Sequence, residues 1–173
     1  STTPRGRIMH RWAKVSTAVL SATLIAASNA SAQSANINVT ANVFQAIAVS
    51  GTAGLDFGSV FPGVNKTVAV GDATSGRFSA TGQASANVNM TFTLPGNLTS
   101  GVNNLPIGSW TGCRDADATP AGCTSFTPSA AATAAAFSAA GELFVFIGAT
   151  VSPAGNQAAG SYTAVATLTL AYF

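Results

Sequence analysis

The chain has 173 residues, of which 7% are charged, with seven Lys and Arg against five Asp and Glu for a formal net charge of +2. Four of those cations fall within the first 14 residues; from Gln33 onward Lys66, Arg77 and Arg114 stand against Asp56, Asp72, Asp115, Asp117 and Glu142, a net charge of −2. No basic footprint for nucleic acid is present, and with 47% hydrophobic residues the chain is too apolar to be disordered by composition.

Arg5, Arg7, Arg11 and Lys14 precede an uncharged, mostly apolar run, Val15 to Ala27, of 13 residues, and Ala30-Ser31-Ala32 has the small-x-small form of a cleavage site. This is the pattern of a secretory signal peptide. The run is shorter than the roughly 20 residues a membrane-spanning helix needs. Cleavage after Ala32 would leave Gln33 to Phe173, and no later apolar run is long enough to anchor that product. A secreted chain that is not membrane-embedded is expected.

The segment "SANINVTANVFQAIAV", 34–49, alternates Ile37, Val39, Ala41 and Val43 with Asn36, Asn38, Thr40 and Asn42. That is a strand with one apolar and one polar face. "GLDFGSVFPG", 54–63, reads as a strand with apolar Leu55 and Phe57 closed by a Pro-Gly turn; "KTVAV", 66–70, and "GRFSATG", 76–82, read as shorter strands. "NVNMTFTL", 87–94, sends Val88, Met90, Phe92 and Leu94 one way and Asn87, Asn89, Thr91 and Thr93 the other, before Pro95-Gly96. "SAAATAAAFSAAG", 129–141, has the alanine content of a short helix, and an Ala-rich strand or linker is the alternative. "ELFVFIGATV", 142–151, is apolar on both faces, as in a strand covered on both sides. "GSYTAVATLTLAYF" closes the chain with Ala164, Ala166, Leu168, Leu170 and Tyr172 on one face. Strand spacings of this kind, with Gly and Pro between, predict an all-β sandwich.

Chemistry is sparse. The single histidine, His10, lies in the signal segment, so Ser-His-Asp and Cys-His nucleophilic sites and His metal sites are not expected. No P-loop or dinucleotide fingerprint occurs. Asp115 and Asp117 match a calcium loop poorly and read as a solvated loop. Trp110, the one tryptophan after the signal, could stack on a sugar, but packing beside Cys113 is the better reading. Formal glycosylation sequons at Asn38, Asn65, Asn89 and Asn97 are what chance gives in a chain rich in Asn and Thr. Cys113 and Cys123, beyond a signal peptide, are expected to form a disulfide across "CRDADATPAGC". Neither an enzyme nor a cofactor nor a metal is expected.

"INVTANVFQAIAVSGTAGLDFGSVFPG" resembles the opening block of small secreted bacterial proteins of the spore-coat U and archaic chaperone–usher pilin type, and looks closer still to a related pilin-like sister family of unknown function. "FIGATVSPAGNQAAGSYTAVATLTLAYF", in which a Gly-x-Tyr leads into an alternating strand, resembles the closing block of that sister family. Spore-coat U proteins carry a cysteine in the strand before the "LDFG"-like block, whereas "QAIAVSG" here has none, which favours the sister family.

The resemblance implies an immunoglobulin-like β-sandwich lacking one strand, completed by the N-terminal donor strand of a neighbouring subunit. The corresponding organisation is a signal peptide at 1–32, a donor-strand extension at 33–44 and a pilin domain at 45–173. Ile37, Val39, Ala41 and Val43 would enter the neighbour's groove, the alternative being that 36–49 fold back as the first strand of their own closed sandwich, and Leu168, Leu170 and Tyr172 would form the groove-edge strand gripped by a chaperone. A homopolymer, a periplasmic chaperone and an outer-membrane usher are the implied partners. A monomeric secreted sandwich that binds carbohydrate or acts as a surface adhesin is the alternative.

Overall fold

Two patterned segments carry the architecture. In 87–93 every second side chain is apolar, and in 142–151 nearly every one is. The first becomes a strand covered on one face and the second a strand buried on both. The computed structural model describes residues 32–173; the expected signal peptide, apart from Ala32, lies outside the described residues.

Ten strands occur among the described residues: β1 (Ala48–Ala53), β2 (Lys66–Val68), β3 (Gly76–Thr81), β4 (Asn87–Thr93), β5 (Asn97–Ser100), β6 (Asn103–Asp115), β7 (Thr124–Phe126), β8 (Thr133–Ala136), β9 (Glu142–Val151) and β10 (Thr167–Tyr172). One antiparallel sheet runs β1-β3-β9-β6-β5, with β2 added to β9 and β7 to β6; the other runs β10-β4-β8. The chain is therefore an all-β protein of two antiparallel sheets in a sandwich-like arrangement, as the sequence predicts. No helix forms among the described residues, and none there is long and apolar enough to cross a membrane.

The inner faces meet in two adjoining apolar clusters. Val88, Met90 and Phe92 from β4, Leu168 from β10, and Leu143, Val145 and Ile147 from β9 form the first. Phe57, Val68, Leu105, Ile107, Ala149 and Val151 form the second. On the opposite face of β9, Phe146 is buried. Arg77 places its guanidinium 5.9 Å from that ring, and Cys113 is its register partner across β6. Cys113 and Cys123 are joined, with Cα atoms 5.7 Å apart, within the range a disulfide spans.

Four segments differ from the sequence reading. Of 34–49, read as one alternating strand, only Ala48 and Val49 lie in a strand, as the start of β1. Residues 133–136 form β8, paired with β4, in place of a helix: alanine permits either state, and pairing with β4 decides. The closing strand is paired only over 167–172, because β4 ends at Thr93, opposite Thr167. Residues 54–63 form no strand. The Asp56 carboxylate accepts the Gly58 N–H at 2.7 Å, and the Asp56 N–H donates to the Thr74 carbonyl at 3.0 Å. Gly58 has φ of +58°, the left-handed region open to glycine, so the chain turns there while Leu55 and Phe57 still point inward.

Candidate functional site

Two strand edges are paired on one side only. β1 bonds to β3, β10 bonds to β4, and β1 and β10 lie near one another without pairing. All six residues of β1 are exposed, which is what a strand lacking a neighbour looks like. Beyond these strands, 54–60 on one side and 158–166 on the other become the lips of an open cleft of about 1160 Å³.

The lips are held independently. Tyr162 donates its hydroxyl to the Ala158 carbonyl at 2.7 Å and accepts from the Gln157 side-chain amide at 2.8 Å, while that amide also donates to the Asn104 carbonyl at 3.0 Å. Thr163 exchanges two backbone bonds with Thr99. Lys66 Nζ donates to the Ser59 carbonyl at 3.0 Å on the other lip. The floor is apolar: Phe78, Leu105, Ile107, Trp110 and Ile147 come from β3, β6 and β9 of the larger sheet.

Trp110 reaches that floor through a bulge. Gly108 is opposite Thr150 and Thr111 is opposite Gly148, so Ser109 and Trp110 together face Ala149. Ser109 takes φ of +48°. The extra residue shifts the alternation by one, turning the indole inward over a small alanine. Trp110 is half-buried and packs against both apolar clusters. Its sequence reading as a packing residue beside Cys113 is thus incomplete, since it also lines the cleft.

The residues singled out from the sequence are distributed as follows. Residues 32–46 form no strand and are exposed; Ile37, Val39 and Val43 are 84, 86 and 92% exposed, and Ala41 is exposed as well. Leu168 is buried in the first cluster, and Leu170 and Tyr172 are half-buried against it. Tyr172 does not line the cleft; its hydroxyl donates to the Gln45 carbonyl and accepts from the Gln83 N–H, each at 2.7 Å. Its ring meets Phe44 edge-on at 5.1 Å. Asp115 turns its carboxylate onto the N–H groups of Ala116 and Asp117, at 2.7 and 3.3 Å, which accounts for its place in the loop. The sequence reading missed the cleft-lining residues of β5 and β6, whose one signal was the apolar alternation of Leu105 and Ile107.

Compared with known proteins, the chain matches no protein-family profile and no curated sequence.

Proposed function

We propose that this protein is a structural subunit of an extracellular fibre or pilus, in which the cleft of one copy receives residues 36–43 of another. The observation that carries the reading is a cleft with an apolar floor that opens at the ends of two strands, β1 and β10, each paired on one side only. The ligand suited to such a slot is an extended segment: its backbone bonds to the open edges, and alternate side chains enter the floor.

The chain supplies a segment of that description. Residues 36–43 alternate perfectly, carry no charge and leave large apolar side chains in water. A contiguous exposed apolar stripe of this kind is uncommon on a monomer that acts alone. The disulfide fits an oxidising compartment, and a surface almost free of charge suits a subunit packed against its own kind. Such a fibre would serve attachment at the cell surface, with an export chaperone and an outer-membrane usher as the expected assembly partners.

The test is electron microscopy of producing cells with and without the gene, together with the purified protein. Filaments that depend on the gene and contain the protein are expected. A protein that stays monomeric at high concentration on cells without filaments would overturn the proposal.

A further inference from the structure

Of the four apolar side chains in the inserting segment, three are branched and one is small: Ile37, Val39, Ala41 and Val43. The floor of the cleft sets two aromatic side chains among three aliphatic ones. Phe78, Leu105, Ile107 and Ile147 belong to regular stretches of their strands, whereas Trp110 has been rotated into line by the bulge at Ser109. An indole standing above Ala149 occupies depth that an incoming side chain would otherwise fill. The lip of 157–166 cannot swing outward to compensate without breaking the Thr99–Thr163 bridge and the bond of the Gln157 side-chain amide to the Asn104 carbonyl.

We infer that Trp110 sets the register of the inserted segment, by admitting Ala41 and no larger side chain at the position above the indole. The inference rests on the reading that the cleft receives this segment. Its physical content is steric. Close-packed surfaces meet best where large groups face small ones, and an added side chain in a filled site forces shifts that cost on the order of 1–3 kcal/mol, or roughly 5- to 150-fold in affinity. A slip of two residues either way would set Val39 or Val43 above Trp110 and Ala41 above a deeper part of the floor, leaving one site overfilled and another void. Ile37, Val39 and Val43 are free to be branched because they meet parts of the floor without the indole. Trp110 is thus a specificity-determining residue for strand insertion.

The experiment uses the full chain carrying Val39→Asp, which disarms its own extension, and a fluorescein-labelled peptide of residues 33–44 followed by anisotropy. Four further peptides carry Phe in place of Ile37, Val39, Ala41 or Val43, and a scrambled peptide is the control. The unaltered peptide binds and the scrambled one does not. Ala41→Phe weakens binding at least about tenfold and more than Phe at any other position. In a chain also carrying Trp110→Ala, the Ala41→Phe peptide recovers most of that loss while the unaltered peptide gains nothing. If the unaltered peptide binds but the largest loss falls at 37, 39 or 43, or all four losses are equal, the register is wrong while the cleft reading stands. If no peptide binds, the cleft reading itself fails and the register with it. The position scan needs no change at Trp110, so it decides the matter even where Trp110→Ala unfolds the chain.

Discussion

Val39→Asp separates folding from assembly, because Val39 is 86% exposed. A surface substitution of this kind shifts stability by no more than about 0.5 kcal/mol. In the slot of a neighbouring subunit the same side chain would be buried on an apolar floor in which neither lysine nor arginine takes part. Burying an unpaired carboxylate costs several kcal/mol; at 3 kcal/mol the association constant falls on the order of 100-fold. Asn38→Asp adds the same charge on the opposite face of the segment, where an inserted strand would leave it in water, and should weaken association by much less. Two measurements are paired: thermal unfolding by circular dichroism, and fibre formation by sedimentation and microscopy. Expected are unchanged melting for both variants, loss of fibres for Val39→Asp and their retention for Asn38→Asp. Intact fibres from Val39→Asp, or equal loss from both variants, would refute the donor-segment reasoning; a lowered melting temperature for Val39→Asp alone would mean the segment belongs to its own sandwich.

Reduction or Cys113→Ser with Cys123→Ser should lower stability by about 2–3 kcal/mol in the chain-entropy account of a loop this short, read by urea unfolding, and mass spectrometry of the unreduced protein should find both thiols absent. Gly148→Ala should be among the most damaging changes on β9, by about 1–3 kcal/mol or more, because a Cβ there would stand 2.4 Å from the Val68 carbonyl oxygen and 2.9 Å from the Thr111 hydroxyl. Gly51→Ala is its control: a Cβ at Gly51 meets nothing within 4 Å, so its melting temperature should be unchanged.

What the sequence made legible was whatever alternation made legible. The strands read at 87–94 and 142–151 coincide with β4 and β9 to within a residue, because the first keeps one parity from end to end and the second is an unbroken apolar run. β6 escaped notice because its parity does not hold: Leu105 and Ile107 face inward, the bulge inserts Ser109, and Trp110 and Gly112 continue inward one residue later. Pro106 and two glycines in the same stretch also read as turn. β8 was hidden by composition, since alanine favours a helix locally and only its ladder to β4 makes it extended. The cleft could not be read at all. Its lips and floor are drawn from residues 51 to 166, and only the sheet order brings them together. The alternation of 36–43, by contrast, was plain from the sequence, but whether its apolar face is covered was not, because alternation declares a face and not its partner.

Tyr172 gives the proposed assembly its direction. The hydroxyl bridges Gln45 and Gln83, and the ring meets Phe44, so residues 44 and 45 are fixed at the C-terminal end of β10. The cleft lies past the other end, before Thr167. Six residues of strand, roughly 20 Å, therefore separate the point where the extension leaves a subunit from the cleft of that same subunit. A giving surface and a receiving surface at opposite ends make a heterologous contact, which continues into an open chain of subunits. A reciprocal pair would instead set two subunits antiparallel, each root against the other's cleft, and a root released from the bridge would be free to reach that position. Tyr172→Phe keeps the ring and removes the hydroxyl, releasing the root while leaving the packing against Phe137 in place. Light scattering after size separation should then show closed dimers growing at the expense of long fibres, with melting lowered by only about 1 kcal/mol for the lost hydrogen bonds. Fibres of unchanged length and no dimer from Tyr172→Phe would show that the direction of assembly is set elsewhere.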